Sequence, residues 1–184
     1  MIDSAFAWLG EIVNWVGRWI PRLTIVNTTL GWVKFVRGHD IKSGGPGLVW
    51  HWPLITELKV FPIVRDSLQC KAQTITMPSG ETALVEAVVV YEIVDIEKLV
   101  AHTAEPTMTI ADLTSGAVLY VMEDVASWEE LRQLSIRVPR ARDSELNRRL
   151  KEEVQRALAP YGVNVMAVML QNKAKARVFK LVNE

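Results

Sequence analysis

The chain has 184 residues, of which 49% are apolar and 23% charged, with 21 Lys and Arg balanced by 21 Asp and Glu. This length suits one globular domain with an appendage, and the apolar fraction excludes a disordered polymer. Zero net charge removes any general electrostatic attraction for nucleic acid, and a lone cysteine, Cys70, excludes an intrachain disulfide.

Residues 1–20, MIDSAFAWLGEIVNWVGRWI, separate into two faces when placed at about 100° per residue. Phe6, Trp8, Leu9, Ile12, Val13, Trp15, Val16, Trp19 and Ile20 share the apolar half, while Asp3, Glu11, Asn14 and Arg18 fall on the other. Trp8, Trp15 and Trp19 sit near the border, where an indole keeps its ring in an apolar phase and its N–H in a headgroup layer. Asp3, Glu11 and Arg18 are spread along the segment, which opposes a spanning helix. No basic region leads into a short apolar stretch, so a cleaved signal peptide fits poorly. The favoured reading is an amphipathic helix lying in a membrane interface, with those nine apolar residues as its lipid contact. The competing reading packs the same face against protein. Pro21 ends the pattern by withdrawing a helical donor.

Next come short β-rich runs, LTIVN and WVKFV, then a permissive turn at Gly44, Gly45, Pro46 and Gly47. That turn leads into β-prone LVWHW without the Lys and hydroxyl of a phosphate loop. In LVWHW, Trp50 and Trp52 project to one side of an extended strand and His51 to the other, marking the pair as a contact for lipid, a neighbouring subunit or the sheet core. Three further β runs follow: ITELKVFPIV, SLQCKAQTITM and TALVEAVVVYEIV. Within the second, Cys70 reads as a small, largely buried strand residue rather than a nucleophile. The third alternates Ala83, Val85, Ala87, Val89, Tyr91 and Ile93 against a mixed face carrying Glu86 and Glu92. These runs predict an antiparallel β-meander.

The period then changes. IEKLVAH and IADLTSGAVLYVMEDV predict helices, the second with Ile110, Leu113, Ala117, Val118 and Val121 inward. Ser127 caps WEELRQL, with Glu130 completing a capping box. DSELNRRLKEEVQRALAP carries an apolar stripe through Leu146, Leu150, Val154 and Leu158, and i,i+4 pairs Glu145–Arg149 and Glu152–Arg156. Arg149, Glu152 and Arg156 on this helix are candidate interface residues, since such charges can pair between subunits as well as within one. YGVNVMAVMLQ predicts a final strand, and residues 173–184 read as the start of a truncated C-terminal helix, whose lysines suit an anionic surface or simply solvent. The fold class is α+β, with helices on one side of the sheet, divided into a helix at 1–20 and a body at 23–172.

Several of these stretches occur in the order of a known family. RGHDIKSGGPGLVWHWPLI, FPIVRD, TITMPSGETALVEAVVVYEIVDIEKL and ARDSELNRRLKEEVQRALAPYGVNVMAVMLQN resemble the landmarks of the stomatin/prohibitin/flotillin family, the SPFH or band 7 domain, over roughly residues 24–172. The resemblance implies a membrane-tethered oligomer that organises lipids or partner membrane proteins, in some members a membrane protease, and it implies no active site or cofactor. Met77-Pro78-Ser79 departs from the family's usual turn, and the long coiled-coil helix that usually follows is cut short at Glu184.

The residues themselves point the same way. His39, His51 and His102 form no metal-ligand spacing, and no serine occupies a nucleophile elbow. No catalytic, cofactor or metal residue is assigned. The expected role is a non-catalytic scaffold, peripheral on the cytoplasmic face of a membrane and assembling into homo-oligomers. The alternative is a soluble partner-binding domain without lipid contact.

Overall fold

A computed structural model describes residues 8, 10–12, 15, 17, 19–38, 40–136 and 144–176, and the chain divides into two compact units, Met1–Val64 and Arg65–Glu184.

The first unit is all β beyond its N-terminal segment. β1 (Arg22–Val26) pairs antiparallel with β4 (Gly47–His51) as a two-stranded ribbon. β2 (Leu30–Val36) is the centre of a second sheet, between β3 (Asp40–Gly44) and β5 (Thr56–Pro62). This is not a simple meander, because β1 skips to β4 and β2 also takes β5. Its core is small: Val26, Val33 and Val49 are its buried apolar side chains among the described residues. Cross-strand Trp32 lies on Gly44, where a Cβ would stand 2.5 Å from the indole. A glycine at that position lets the ring cover the strand.

The second unit is built on β8 (Thr82–Ile93), flanked on one side by the short β6 (Asp66–Gln69) and β7 (Gln73–Thr76) and on the other by β9 (Val163–Ala176). The run SLQCKAQTITM is therefore two strands, broken where the Cys70 N–H donates to Ala87 O at 2.8 Å. Burial along β8 alternates as the sequence predicts, with Ala83, Val85, Ala87, Val89, Tyr91 and Ile93 buried. On the other face, Glu86 is held by Gln69 from β6 and Asn172 from β9, and Glu92 by Asn164 of β9 at 2.8 Å. The strand β9 runs through Ala176, four residues into the segment read as helix-forming, while residues 177–184 lie outside the described ones.

Four helices complete this unit: α1 (Ile96–His102), α2 (Pro106–Glu123), α3 (Trp128–Leu134) and α4 (Glu145–Leu158). Leu146, Leu150, Val154 and Leu158 form the buried stripe of α4, which packs on β9 and α2. In α2, Ile110, Ala117, Val118 and Val121 are buried as expected, joined by Thr114 and Met122, whereas Leu113 is only half-buried. Ser127 Oγ accepts from the Glu130 N–H at 3.3 Å, but the Glu130 carboxylate reaches back to the Ala126 N–H rather than to that of Ser127. Gly162, entering β9, has φ +71° and a carbonyl that accepts from both Val94 and Asp95. A Cβ there would stand 2.5 Å from the Asp95 carbonyl oxygen, so only glycine fits.

Candidate functional site

The pairing of β1 with β4 puts Leu23 opposite Trp50 and Ile25 opposite Leu48. Paired residues share a face, and so do residues two apart on one strand, so all four side chains point the same way. The opposite face of the ribbon holds Val26 and Val49, both buried. The outward four are open: Ile25 is 76% exposed, Leu48 63%, Trp50 57% and Leu23 53%. A ribbon normally turns polar residues to solvent on its second face; here that face is wholly apolar.

The apolar surface continues beyond the strands. Trp52, Leu54 and Ile55 are exposed in the turn that joins β4 to β5. This turn is held in place by the Trp52 carbonyl, which accepts from the Ile55 N–H at 3.1 Å, the Thr56 N–H at 2.9 Å and the Thr56 hydroxyl at 2.6 Å. The chain enters β1 at this same end, from exposed Trp19 and Ile20, and the Trp15 and Trp19 rings lie 5.8 Å apart. Among the described residues of the N-terminal segment, Trp8, Gly10–Ile12, Trp15 and Gly17 are helical, and Trp8, Ile12 and Trp15 are exposed. Phe6, Leu9, Val13 and Val16 of the expected lipid contact lie outside the described residues. Trp50 and Trp52 are not sheet core, since both are exposed.

The charged candidates on α4 behave differently. Arg149 pairs with Glu145 at 3.2 Å as expected, but Glu152 pairs with Arg148 at 2.8 Å and Arg156 with Glu153. The expected Glu152–Arg156 pair gives way to i,i+3 and i,i+4 neighbours that use all three residues within their own helix. Glu145 is held below the usual carboxylate range first by Arg148 and then by Arg149.

Candidates for chemistry do not converge. Cys70 is 2% exposed, and burial pushes its thiol up, away from the reactive thiolate. His102 Nδ1 lies 2.8 Å from Lys98 O at the end of α1, and His51 Nδ1 is buried without a partner. His39 lies outside the described residues. Among those residues no group of three His, Cys, Asp or Glu could hold a metal ion, and no helix is long and apolar enough to cross a membrane.

Sequence reasoning found the two tryptophans but missed Leu23, Ile25, Leu48, Leu54 and Ile55. Their alternation was visible in LTI and LVW, but which face it exposed depended on a pairing between strands more than twenty residues apart.

Fold and surface together define a two-unit α+β protein whose distinguishing feature is an apolar face on its smaller, first unit. The chain belongs to the SPFH domain / Band 7 family, whose profile matches residues 24–174. A protein of Archaeoglobus fulgidus, described as uncharacterized, is 24% identical over 165 residues, which cover 90% of this chain and 63% of that protein. The chain therefore spans less than two thirds of that relative's length.

Proposed function

We propose that the chain is a non-catalytic scaffold, peripheral to a membrane, that docks through its first unit and self-associates to organise lipids or partner membrane proteins, a membrane protease being one such partner. Family membership supports the general role. The observation that carries the docking is the outward face of the β1–β4 ribbon, Leu23, Ile25, Leu48 and Trp50, continuous at one end with Trp52 and the tryptophans before β1. Full burial of a large apolar side chain contributes about 1.5–3 kcal/mol, so covering what these four still expose contributes on the order of 4 kcal/mol or more before the costs of association. The nine apolar residues of segment 1–20 add to the same contact. For self-association, β9 offers an edge that no other strand pairs with among the described residues, and Gln155 of α4 closes only its start, through the Val165 N–H at 2.6 Å and the Val163 carbonyl at 3.3 Å. Attachment to one plane raises the effective concentration of such edges.

Co-sedimentation of the full chain with phospholipid vesicles tests the docking. The wild type is expected in the pellet, and a variant carrying Ile25→Ser and Leu48→Ser is expected mostly in the supernatant with an unchanged urea midpoint. A wild type that stays in the supernatant with both zwitterionic and anionic vesicles overturns the membrane reading and leaves a soluble partner-binding domain as the better account. Sedimentation velocity with and without a lipid mimetic tests assembly, and a chain that remains monomeric on bilayers removes the scaffold.

A further inference from the structure

The apolar end of the first unit carries one basic side chain in an unusual backbone setting. Arg37 follows β2 and has φ +51°, the one described non-glycine residue with positive φ. Left-handed backbone costs an ordinary residue free energy that glycine, which stands next at Gly38 with φ +75°, does not incur. The Arg37 N–H donates to Ile55 O at 2.9 Å, tying this hairpin to the exposed Trp52–Ile55 turn. Between them lies a shallow groove of about 500 Å³ lined by Phe35, Pro53, Leu54 and Ile55 together with Arg37 and Glu57. Glu57 is already paired with Lys59 at 3.4 Å, and among the described residues no carboxylate pairs with Arg37. The surroundings favour an anion as well. Residues 20–64 contain Arg22, Lys34, Arg37, Lys42 and Lys59 against Asp40 and Glu57, a net charge of +3 in a chain whose total is zero.

We propose that Arg37 is the residue by which this end of the molecule holds the phosphate of an anionic lipid headgroup, with the groove beside it taking the adjoining apolar part of that lipid. A guanidinium presents a planar set of donors suited to phosphate oxygens, and it bears desolvation better than an ammonium. Leu54 and Ile55 would enter the acyl boundary, which places Arg37, one hydrogen bond away, at headgroup depth. This assignment rests on the membrane reading above and adds selectivity to it: the apolar ribbon supplies binding to any bilayer, and Arg37 supplies the preference for negative ones.

The test compares the full chain with Arg37→Gly on vesicles of phosphatidylcholine alone and of phosphatidylcholine mixed with phosphatidylglycerol. Glycine suits the backbone angle, so the variant is expected to fold with an equal or higher urea midpoint. The wild type is expected to prefer the anionic vesicles, and Arg37→Gly to lose about fivefold of that preference, the factor one basic side chain at an anionic surface contributes. A wild type that binds both vesicles equally, or a variant with the wild-type preference, overturns the assignment and leaves the docking face standing. Millimolar inorganic phosphate that abolishes the preference at constant ionic strength shows a site for the free anion and also overturns it. A wild type that binds neither vesicle removes the membrane reading itself.

Discussion

The two units use their apolar residues in opposite ways. Among the described residues, the first holds three buried apolar side chains and fourteen exposed large ones, whereas the second holds twenty-five and seven. Average composition conceals this, because 49% apolar content looks like one ordinary domain. The second unit turns its apolar surface inward, where β8, β9, α2 and α4 remove it from water. The first turns much of its own outward, so its fold has less burial to rest on and its surface has more to gain from a partner. Among the described residues, a unit that exposes much of its apolar surface thus precedes one that buries most of its own.

The sharpest test of that contrast is a matched pair of truncations. Leu150→Ala removes a side chain with no exposure at the junction of α4, β9 and α2, and it is expected to destabilise the second unit by about 3–5 kcal/mol. Ile25→Ala removes a side chain of similar size that is 76% exposed, and it is expected to change the first unit's stability by less than about 0.5 kcal/mol in the absence of lipid. Urea unfolding followed by peptide-resolved hydrogen exchange reads the two units separately. A large cost for Ile25→Ala would mean that the ribbon face is core and that the contrast is wrong.

Glycines probe the same division through backbone rather than volume. Gly162→Ala places a methyl against the Asp95 carbonyl at a left-handed φ, and about 2–4 kcal/mol of destabilisation is expected. Gly44→Ala in the first unit meets the Trp32 indole, a side chain rather than backbone, and needs no left-handed φ, so a smaller loss of about 1–2 kcal/mol is expected. The order of these two costs, measured by thermal and urea midpoints, checks which unit is the more tightly packed. A larger loss for Gly44→Ala would reverse it.

Local patterns were legible and distant pairings were not. The apolar stripe of α4, the Ser127 cap and the alternation of β8 each depend on neighbours within a turn or a strand, and each stands as the sequence predicts. Lys173-Ala-Lys-Ala read as helix because Lys and Ala favour helices, yet the segment is strand, since Thr82–Val85 of β8 supply its hydrogen-bonding partners. The meander failed for the same reason: β1 joins β4 across the intervening β2 and β3. The candidate surface was half visible, as tryptophans whose exposure depended on that pairing. Arg37 gave no signal at all, because a left-handed φ in an Arg-Gly turn is set by the hairpin and not by composition.

Protonation gives the smallest expected effect and the one with the clearest sign. Four carboxylates of the second unit are held below their ordinary values: Glu81 first by Lys175 and then by the Trp128 N–H, Glu86 by Asn172 and Gln69, Asp95 by the Lys98 N–H, and Glu145 by Arg148 and Arg149. A carboxylate whose folded pKa lies below its unfolded one stabilises the fold fully above the unfolded value and loses that contribution as pH falls through the folded value. For the glutamates the loss therefore begins near the ordinary 4.5 and grows below it. These groups lie at the surface, so each effect is small and salt-sensitive. Glu86→Gln keeps an acceptor between Gln69 and Asn172 but removes the titrating group, so the urea midpoint of the second unit should fall less steeply between pH 5 and pH 3 than in the wild type. Ser67, on the same sheet face but without a titrating side chain, supplies the control: Ser67→Ala should leave the acid slope unchanged. Equal slopes in wild type and Glu86→Gln would show that the cross-strand amides hold the carboxylate no more tightly than water does.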